Sequence, residues 1–232
     1  MSRKRSESKR KDSNLIWDRP PLKAKNDKQT EYINAIRNQT VVVGTGVAGS
    51  GKTFIAATIA ADMFDDPRTN IEKIIIARPN EVEGTKSIGF LKGSLVEKMG
   101  PLVAPVSNVI KDRLGAKKFE YLVDNGSIEF LPLEYIKGLT FNNTFVIIDE
   151  AEDIEWSILK TLLLRTGKNS KIIIDGDIRQ TSISKTSGLQ VLMDLGKEYH
   201  VPAAFVDFDS WEYCVRSDEC RLFGEIFEDA KV

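Results

Sequence analysis

Cysteine and histidine are scarce in this sequence. The 232 residues include two cysteines, Cys214 and Cys220, and one histidine, His200. The cysteine spacing matches neither a zinc pair nor a CxxC redox motif. One histidine is too few for a histidine-ligated transition-metal site. The two thiols are therefore expected to be reduced, as in a cytoplasmic protein.

The sequence also lacks a long apolar segment. Hydrophobic residues make up 41% of the chain, yet no run approaches the about 20 residues of a membrane-spanning helix. Residues 1–13 have no apolar residue after Met1 and carry six Lys or Arg against two acids, so they cannot form the apolar core of a secretory signal. We expect a disordered basic arm at 1–20, one folded domain at 21–232 and no contact with a membrane.

The charge is nearly balanced over the whole chain, at −1 near neutral pH. Without the six basic and two acidic residues of 1–13, the rest carries 27 basic and 32 acidic residues, a net charge of −5. An acidic body offers no broad surface for a polyanion, so a nucleic-acid contact must come from a local patch or from the arm. The arm equally fits a solubilising terminus.

A glycine-rich loop motif follows the first apolar segment, at 40–43. It is the Walker A sequence Gly46, Val47, Ala48, Gly49, Ser50, Gly51, Lys52 and Thr53. Its glycines allow a tight loop whose backbone N–H groups surround phosphates, while Lys52 reaches the β and γ oxygens and Thr53 binds Mg²⁺. A helix predicted over 52–64 points its positive end at the same anion. The motif predicts a nucleoside triphosphate bound with Mg²⁺.

Short apolar strands alternate with helical patterns along the rest of the chain. The predicted helices lie at 26–38, 52–64, 106–122, 155–166 and 188–198. The predicted strands lie at 40–43, 73–77, 127–131, 145–148, 171–175 and 203–207. The Gly- and Pro-rich stretch 79–105 is predicted to be a loop. The alternation predicts an α/β fold with a mostly parallel sheet covered by helices on both faces and ligands at the carboxyl ends of the strands. Together with the Walker A sequence it predicts a P-loop NTPase.

Two adjacent carboxylates, Asp149 and Glu150, end the apolar strand at 145–148. This is the form of a Walker B element. Asp149 at the strand tip is predicted to hold Mg²⁺ together with Thr53, and Glu150 is predicted to orient and polarise the attacking water. Carboxylates also favour helix N-termini for structural reasons alone.

Two glutamines complete the candidate site. Gln180 ends the sequence GDIRQ after the strand 171–175, where it is placed to sense the γ-phosphate and the lytic water. Gln29 precedes the loop motif, and its amide can donate to and accept from the adenine edge. Each also has a plain interpretation, as part of a surface turn or of a solvated helix. No NKxD sequence that would recognise guanine occurs, so we expect ATP.

Seven segments in order make the chain resemble the PhoH family of ATPases. They are GTGVAGSGKT, ARPNEVEG, IGFLKG, EKMGPLVAP, PLEYIKGLTFNNTFVIIDEAED, LLLRTGKNSKIIIDGDIRQT and CVRSDE, within residues 25–228. The segments around Arg78, 89–91 and 136–138 are more specific to this family than the Walker motifs. Glu152 stands where the acidic motif of the family usually ends in glutamine, and Lys137 and Leu139 stand where arginines are common.

The resemblance implies ATP hydrolysis coupled to RNA or single-stranded DNA, in the compact form often encoded by bacteriophages. It also implies a RecA/helicase-like core, similar to that of superfamily 1 helicases, in which a second core domain supplies an arginine. With one core domain here, we expect a homo-oligomer, a hexameric ring being one candidate, in which a neighbouring subunit supplies Arg165 or Arg216, or else Arg78. Each arginine also fits a surface ion pair. The alternative function is an ATP-dependent switch or assembly module without a nucleic-acid substrate.

Overall fold

The computed structural model describes residues 19–79, 95–183 and 186–230. The helices are α1 (Asp27–Asn38), α2 (Lys52–Asp65), α3 (Leu95–Leu114), α4 (Ala116–Asp124), α5 (Trp156–Leu163), α6 (Gly188–Glu198) and α7 (Asp218–Ala230). The strands are β1 (Val41–Gly46), β2 (Lys73–Arg78), β3 (Ile128–Pro132), β4 (Thr144–Ile148), β5 (Lys171–Asp175) and β6 (Ala204–Phe208). Short 3₁₀ helices occur at Leu133–Gly138, Ala151–Asp153, Ile178–Gln180 and Trp211–Tyr213.

The six strands form one sheet in the order β3-β2-β4-β5-β1-β6. All neighbouring strands are parallel. The register sets Gly44 of β1 opposite Asp175 of β5, and Ile148 of β4 opposite Ile174. The carboxyl ends of β1, β5 and β4 therefore meet at the same edge of the sheet.

Successive strand residues contribute to two separate apolar cores, one on each face of the sheet. On one face, α1 to α4 pack over side chains that include Val42, Ile147 and Ile173. On the other face, α5, α6 and the 3₁₀ helix Leu133–Gly138 cover side chains that include Val43, Ile148 and Ile174. Because side chains alternate between the faces of a strand, the continuous apolar runs in the sequence follow from burial on both faces.

Helix α3 differs from the sequence prediction, which placed a loop at 79–105 and a helix at 106–122. The helix begins at Leu95 and contains Pro101 and Pro105. Proline removes one backbone hydrogen bond and predicts a helix end. Here the buried stripe Met99, Val103, Val106 and Ile110 packs into the core and outweighs that loss. Residues 80–94 lie outside the described part of the chain.

Both ends of the described chain contact the domain in ways that the sequence pattern did not indicate. Arg19, which lies within the arm predicted at 1–20, forms an ion pair with Asp65 at 3.2 Å, whereas residues 1–18 lie outside the described residues. Helix α7 has no predicted counterpart, because its apolar residues are mostly exposed and only Gly224 is buried, against Trp211. None of the helices in the described ranges has the length and apolarity to cross a membrane.

Candidate nucleotide-binding site

A cavity of about 440 Å³ opens at the carboxyl ends of β1, β4 and β5. This volume lies in the range of small-molecule sites, about 300 to 1,000 Å³. Its lining comprises residues 48–54, Pro105, Val109, Asp149, Glu150, Glu152, Asp175, Gly176, Asp177, Gln180 and Arg216. The structure therefore brings the loop motif, the acidic pair and Gln180 around one space, as the sequence predicted from the ends of parallel strands.

The loop between β1 and α2 needs glycine at its first position. Gly46 has φ of 107°, and a Cβ there would lie 2.1 Å from the Phe208 carbonyl oxygen. The Val47 N–H donates to the same carbonyl at 2.9 Å, which seats the loop on the end of β6. Gly51, just before α2, has φ of 89°. These left-handed residues turn the chain so that the first turn of α2 faces the cavity.

Lys52 is folded under the loop. Its Nζ donates to the carbonyl oxygens of Gly46 and Val47 at 2.6 and 3.1 Å, and to Ser50 Oγ at 3.2 Å. Burial lowers the pKa of Lys52, and nearby carboxylates, Asp175 first, oppose that shift. A bound polyphosphate would add negative charge beside this amine and further favour its protonated form.

Thr53 and Asp149 form the oxygen pair that the sequence assigned to Mg²⁺. Thr53 Oγ1 donates to Asp149 Oδ1 at 3.0 Å, although 96 residues separate them. Burial raises the pKa of Asp149, and the neighbouring Glu150 adds to that shift. A hydroxyl and a carboxylate beside a phosphate site fit Mg²⁺, which favours few protein oxygens combined with substrate phosphates. The cation would also relieve the buried negative charge.

Glu150 lies beside the acidic strand tip in a left-handed backbone conformation, with φ of 57° and ψ of 46°. Its Oε1 accepts a hydrogen bond from Arg78 Nη2 at 2.6 Å. The side chain remains 43% exposed and lines the cavity. Glu150 therefore stands at the mouth of the site with one carboxylate oxygen already paired.

Glu152 joins the acidic segment to the turn after β5. Its Oε2 accepts from the Asp177 N–H at 3.0 Å, and Asp177 Oδ2 accepts from Gln180 Nε2 at 2.8 Å. Gly176 permits this approach, because a Cβ there would lie 2.5 Å from Glu152 Oε2. Burial, together with a hydrogen bond to Glu150, raises the pKa of Glu152 to about 8. This chain of contacts fixes the direction of Gln180.

The comparisons with known proteins agree with this geometry. The family model described as PhoH-like protein matches residues 21–228. The chain belongs to the PhoH family. Protein PhoH of Escherichia coli strain K12 is 35% identical to it over 208 residues, which cover 88% of this chain and 57% of that protein. The PhoH-like protein of Bacillus subtilis strain 168 is 39% identical over 178 residues, or 76% of this chain and 55% of that protein.

This PhoH-family chain spans about half the length of those two relatives. Among solved structures, the HK97 bacteriophage large terminase is 14% identical, with a TM-score of 0.56 over 92% of this chain and 50% of that chain. The large terminase of a thermophilic bacteriophage in complex with ADP is 14% identical, with a TM-score of 0.50 over 86% and 49%. These likenesses concern the fold, and with the six-stranded parallel sheet they confirm the predicted P-loop NTPase class.

Gln29 of this PhoH-family chain lies under the loop and is 4% exposed. Its Nε2 donates to the Ser50 carbonyl at 2.8 Å, and its Oε1 accepts from the Lys25 N–H at 2.8 Å. Both ends of the amide are therefore engaged by protein. The contact with adenine predicted for Gln29 stays a prediction, and the sequence pattern did not indicate that its amide supports the loop backbone.

The two first-choice arginines occupy different places in the PhoH-family fold. Arg216 lines the cavity of its own chain, because the Val215 N–H donates to the Gly49 carbonyl at 2.9 Å. The sequence analysis expected it from a neighbouring subunit, whereas the structure places it in cis. Arg165 follows α5, and its carbonyl accepts from the Phe141 N–H ahead of β4. It therefore lies near the amino ends of β4 and β5, whereas the cavity lies at their carboxyl ends.

Sequence reasoning missed Tyr32 and the role of Asp175. The Tyr32 hydroxyl donates to Asp175 Oδ1, and both side chains are buried. Within the described ranges, Asp175 Oδ2 has no hydrogen-bond partner. The sequence signals that could have indicated this pair were a tyrosine on the apolar face of α1 and an acidic residue at the end of a buried strand. The family-specific segment 89–91 lies outside the described residues, as does the side chain of Lys137.

Proposed function

We propose that this PhoH-family chain is an Mg²⁺-dependent ATP hydrolase. The observation that carries the proposal is the convergence of Lys52, the Thr53–Asp149 pair, Glu150 and Gln180 on one cavity. Backbone N–H groups at the start of α2 and Lys52 would bind the triphosphate. Mg²⁺ held by Thr53 and Asp149 would neutralise charge that develops on the phosphates.

Glu150 and Gln180 serve the hydrolytic step in this proposal. Glu150 would orient and polarise the water that attacks the γ-phosphate, and the amide of Gln180 would contact that water and the γ-phosphate oxygens. The hydrogen bond from Gln180 to Asp177, itself held by Glu152, orients the amide. Arg216 would add positive charge from the wall of the same cavity.

We further propose that turnover is coupled to RNA or single-stranded DNA. The six basic residues within 1–13 support this proposal, as does the family resemblance. The test measures ATP turnover with and without single-stranded RNA over a series of salt concentrations. If the protein contacts the phosphates of the RNA, the stimulation of ATP turnover should fall steeply as the salt concentration rises. Heparin, a polyanion without bases, is the control for charge alone.

A second function, an ATP-dependent assembly module without nucleic acid, is favoured by one surface. Helix α7 carries Leu222, Phe223, Ile226 and Phe227, each between 49% and 59% exposed. Such an apolar patch is typical of a protein–protein contact. A second copy of the chain is the occupant that also fits the homo-oligomer proposal. Turnover that is independent of RNA at every salt concentration, but rises with protein concentration, would favour this function.

We propose that Arg165 acts from a neighbouring subunit. Because its backbone lies away from the cavity of its own chain, Arg165 would contact the nucleotide that is bound to a neighbouring subunit. Mixing an Arg165→Ala subunit with a Glu150→Gln subunit should restore part of the turnover, since each supplies what the other lacks. A monomer by light scattering at full turnover would rule out the trans arrangement, and Arg37→Ala mixed in the same way is the control.

Gln29→Ala is expected to raise the KM for ATP by about tenfold. The reason is the loss of one hydrogen bond between neutral groups, which supports the conformation of the phosphate loop. The KM values for ATP and GTP in wild type and variant are the measurement. If Gln29 acts through adenine, the preference for ATP over GTP falls in the variant. If it acts only by supporting Ser50, both KM values rise equally. Unchanged KM values for both nucleotides would contradict either role.

A further inference from the structure

Arg78, the last residue of β2, connects two separate parts of the protein through its guanidinium. Nη2 donates to Glu150 Oε1 and Nη1 donates to the Leu102 carbonyl in α3, each at 2.6 Å. The Arg78 side chain is 22% exposed. A planar guanidinium offers several donors in a fixed geometry, so it can hold both partners at once. Helix α3 and the candidate catalytic carboxylate are thereby joined by one side chain.

The backbone at Glu150 has an uncommon, left-handed conformation. Three non-glycine residues in the described ranges have positive φ, namely Asn143, Glu150 and Asn169. Asparagine tolerates the left-handed region, but glutamate does so less readily, and such strain persists where neighbouring contacts determine it. The Asp149 N–H donates to the Ala77 carbonyl, so the acidic segment is also bound to the residue before Arg78.

Arg78 reaches Glu150 from outside the cavity. Glu150 lines that space, whereas Arg78 is not part of the lining. The ion pair therefore ties Oε1 to a side chain that does not line the cavity. An oxygen paired with a guanidinium is a weaker hydrogen-bond acceptor for an attacking water, because its charge is already compensated.

Helix α3 is the element that could change this contact. It packs on α2, the helix that follows the phosphate loop, and Val103 and Val106 belong to the apolar core that the two helices share. At its other end, Arg113 forms an ion pair with Asp62 of α2 at 2.7 Å. A shift of α3 relative to β2 would separate the Leu102 carbonyl from Arg78 and weaken the ion pair between Arg78 and Glu150.

We propose that Arg78 is a positioning residue that restrains Glu150, and that movement of α3 relative to β2 releases the carboxylate for hydrolysis. This inference rests on the proposed function, because it requires Glu150 to orient the attacking water. It assigns a regulatory role in cis to an arginine that the sequence analysis considered for a trans role.

The test replaces Arg78 by Gln and by Lys and measures steady-state ATP turnover. Arg78→Gln is expected to raise kcat about threefold to tenfold, the effect of removing a partly buried ion pair, while the KM for ATP changes less than about twofold. Arg78→Lys keeps the charge and should return kcat toward the wild-type value. The control is Arg68→Gln, which breaks the surface pair with Asp66 and should leave kcat unchanged. A kcat that stays equal or falls in Arg78→Gln overturns the proposal.

Thermal unfolding provides a readout that does not depend on turnover. A double-mutant cycle of Arg78→Gln and Glu150→Ala should show coupling in the protein without nucleotide and a smaller coupling with a non-hydrolysable ATP analogue and Mg²⁺. No coupling without nucleotide also overturns the proposal. Lys52→Ala and Glu150→Gln are assayed in parallel. If both variants turn over ATP at the wild-type rate, the proposed function is rejected. If both are inactive and Arg78→Gln shows no increase in kcat, only the restraint of Glu150 by Arg78 is rejected.

Discussion

Glu150→Gln is expected to lower kcat for ATP by a factor of about 10² to 10⁴, the usual contribution of a general base. Glutamine keeps the shape of the side chain and can still accept from Arg78, so the fold and the phosphate loop should be preserved. Nucleotide affinity should change little, because Lys52 and the loop N–H groups remain. Turnover and direct binding of a non-hydrolysable ATP analogue are the two measurements.

Lys52→Ala is the partner variant, and it should lose both binding and turnover. The matched control is Glu198→Gln, which changes an exposed glutamate at the end of α6 and should behave as wild type. If Glu150→Gln turns over ATP at the wild-type rate, Glu150 is not the residue that orients the water. If Lys52→Ala binds nucleotide normally, the cavity is not the triphosphate site.

Tyr32→Phe is expected to destabilise the protein in a pH-dependent way. Burial raises the pKa of Asp175 to about 7 from its ordinary 3.8. The folded state therefore holds a proton that the unfolded state releases, so the Asp175 contribution to the free energy of unfolding falls as pH rises between these values. Above that window, the ionised carboxylate depends most on the Tyr32 hydroxyl.

The expected loss in Tyr32→Phe is about 3 kcal/mol at about pH 8.5 and about 1 kcal/mol at about pH 5.5, since an unsatisfied buried charge costs more than a neutral group. Chemical denaturation at the two pH values measures it. In an Asp175→Asn background, Tyr32→Phe should lower the free energy of unfolding by the same amount at the two pH values. An equal loss in both backgrounds and at both pH values would show that Asp175 stays neutral throughout.

Much of the fold and the core of the site could be predicted because they depend on local patterns. Strand β5 and helix α6 have the predicted bounds. The loop motif, the acidic pair and Gln180 converge because each follows a strand, and parallel strands end at one edge. The helix predicted at 106–122 starts too late and spans both α3 and α4, since the prolines of α3 suggest a loop and only the packing of Met99 and Val103 outweighs them.

The sequence by itself determined the family, the α/β class and which residues follow each strand, because glycine spacing and apolar runs are local properties of the chain. Only the tertiary structure decided which side chains restrain these residues. Arg78 and Glu150 are 72 residues apart, and Tyr32 and Asp175 are 143 residues apart. The cis placement of Arg216 likewise depends on a contact between Val215 and the loop. Such contacts arise from the order of strands and the packing of helices on the sheet, which periodicity does not encode.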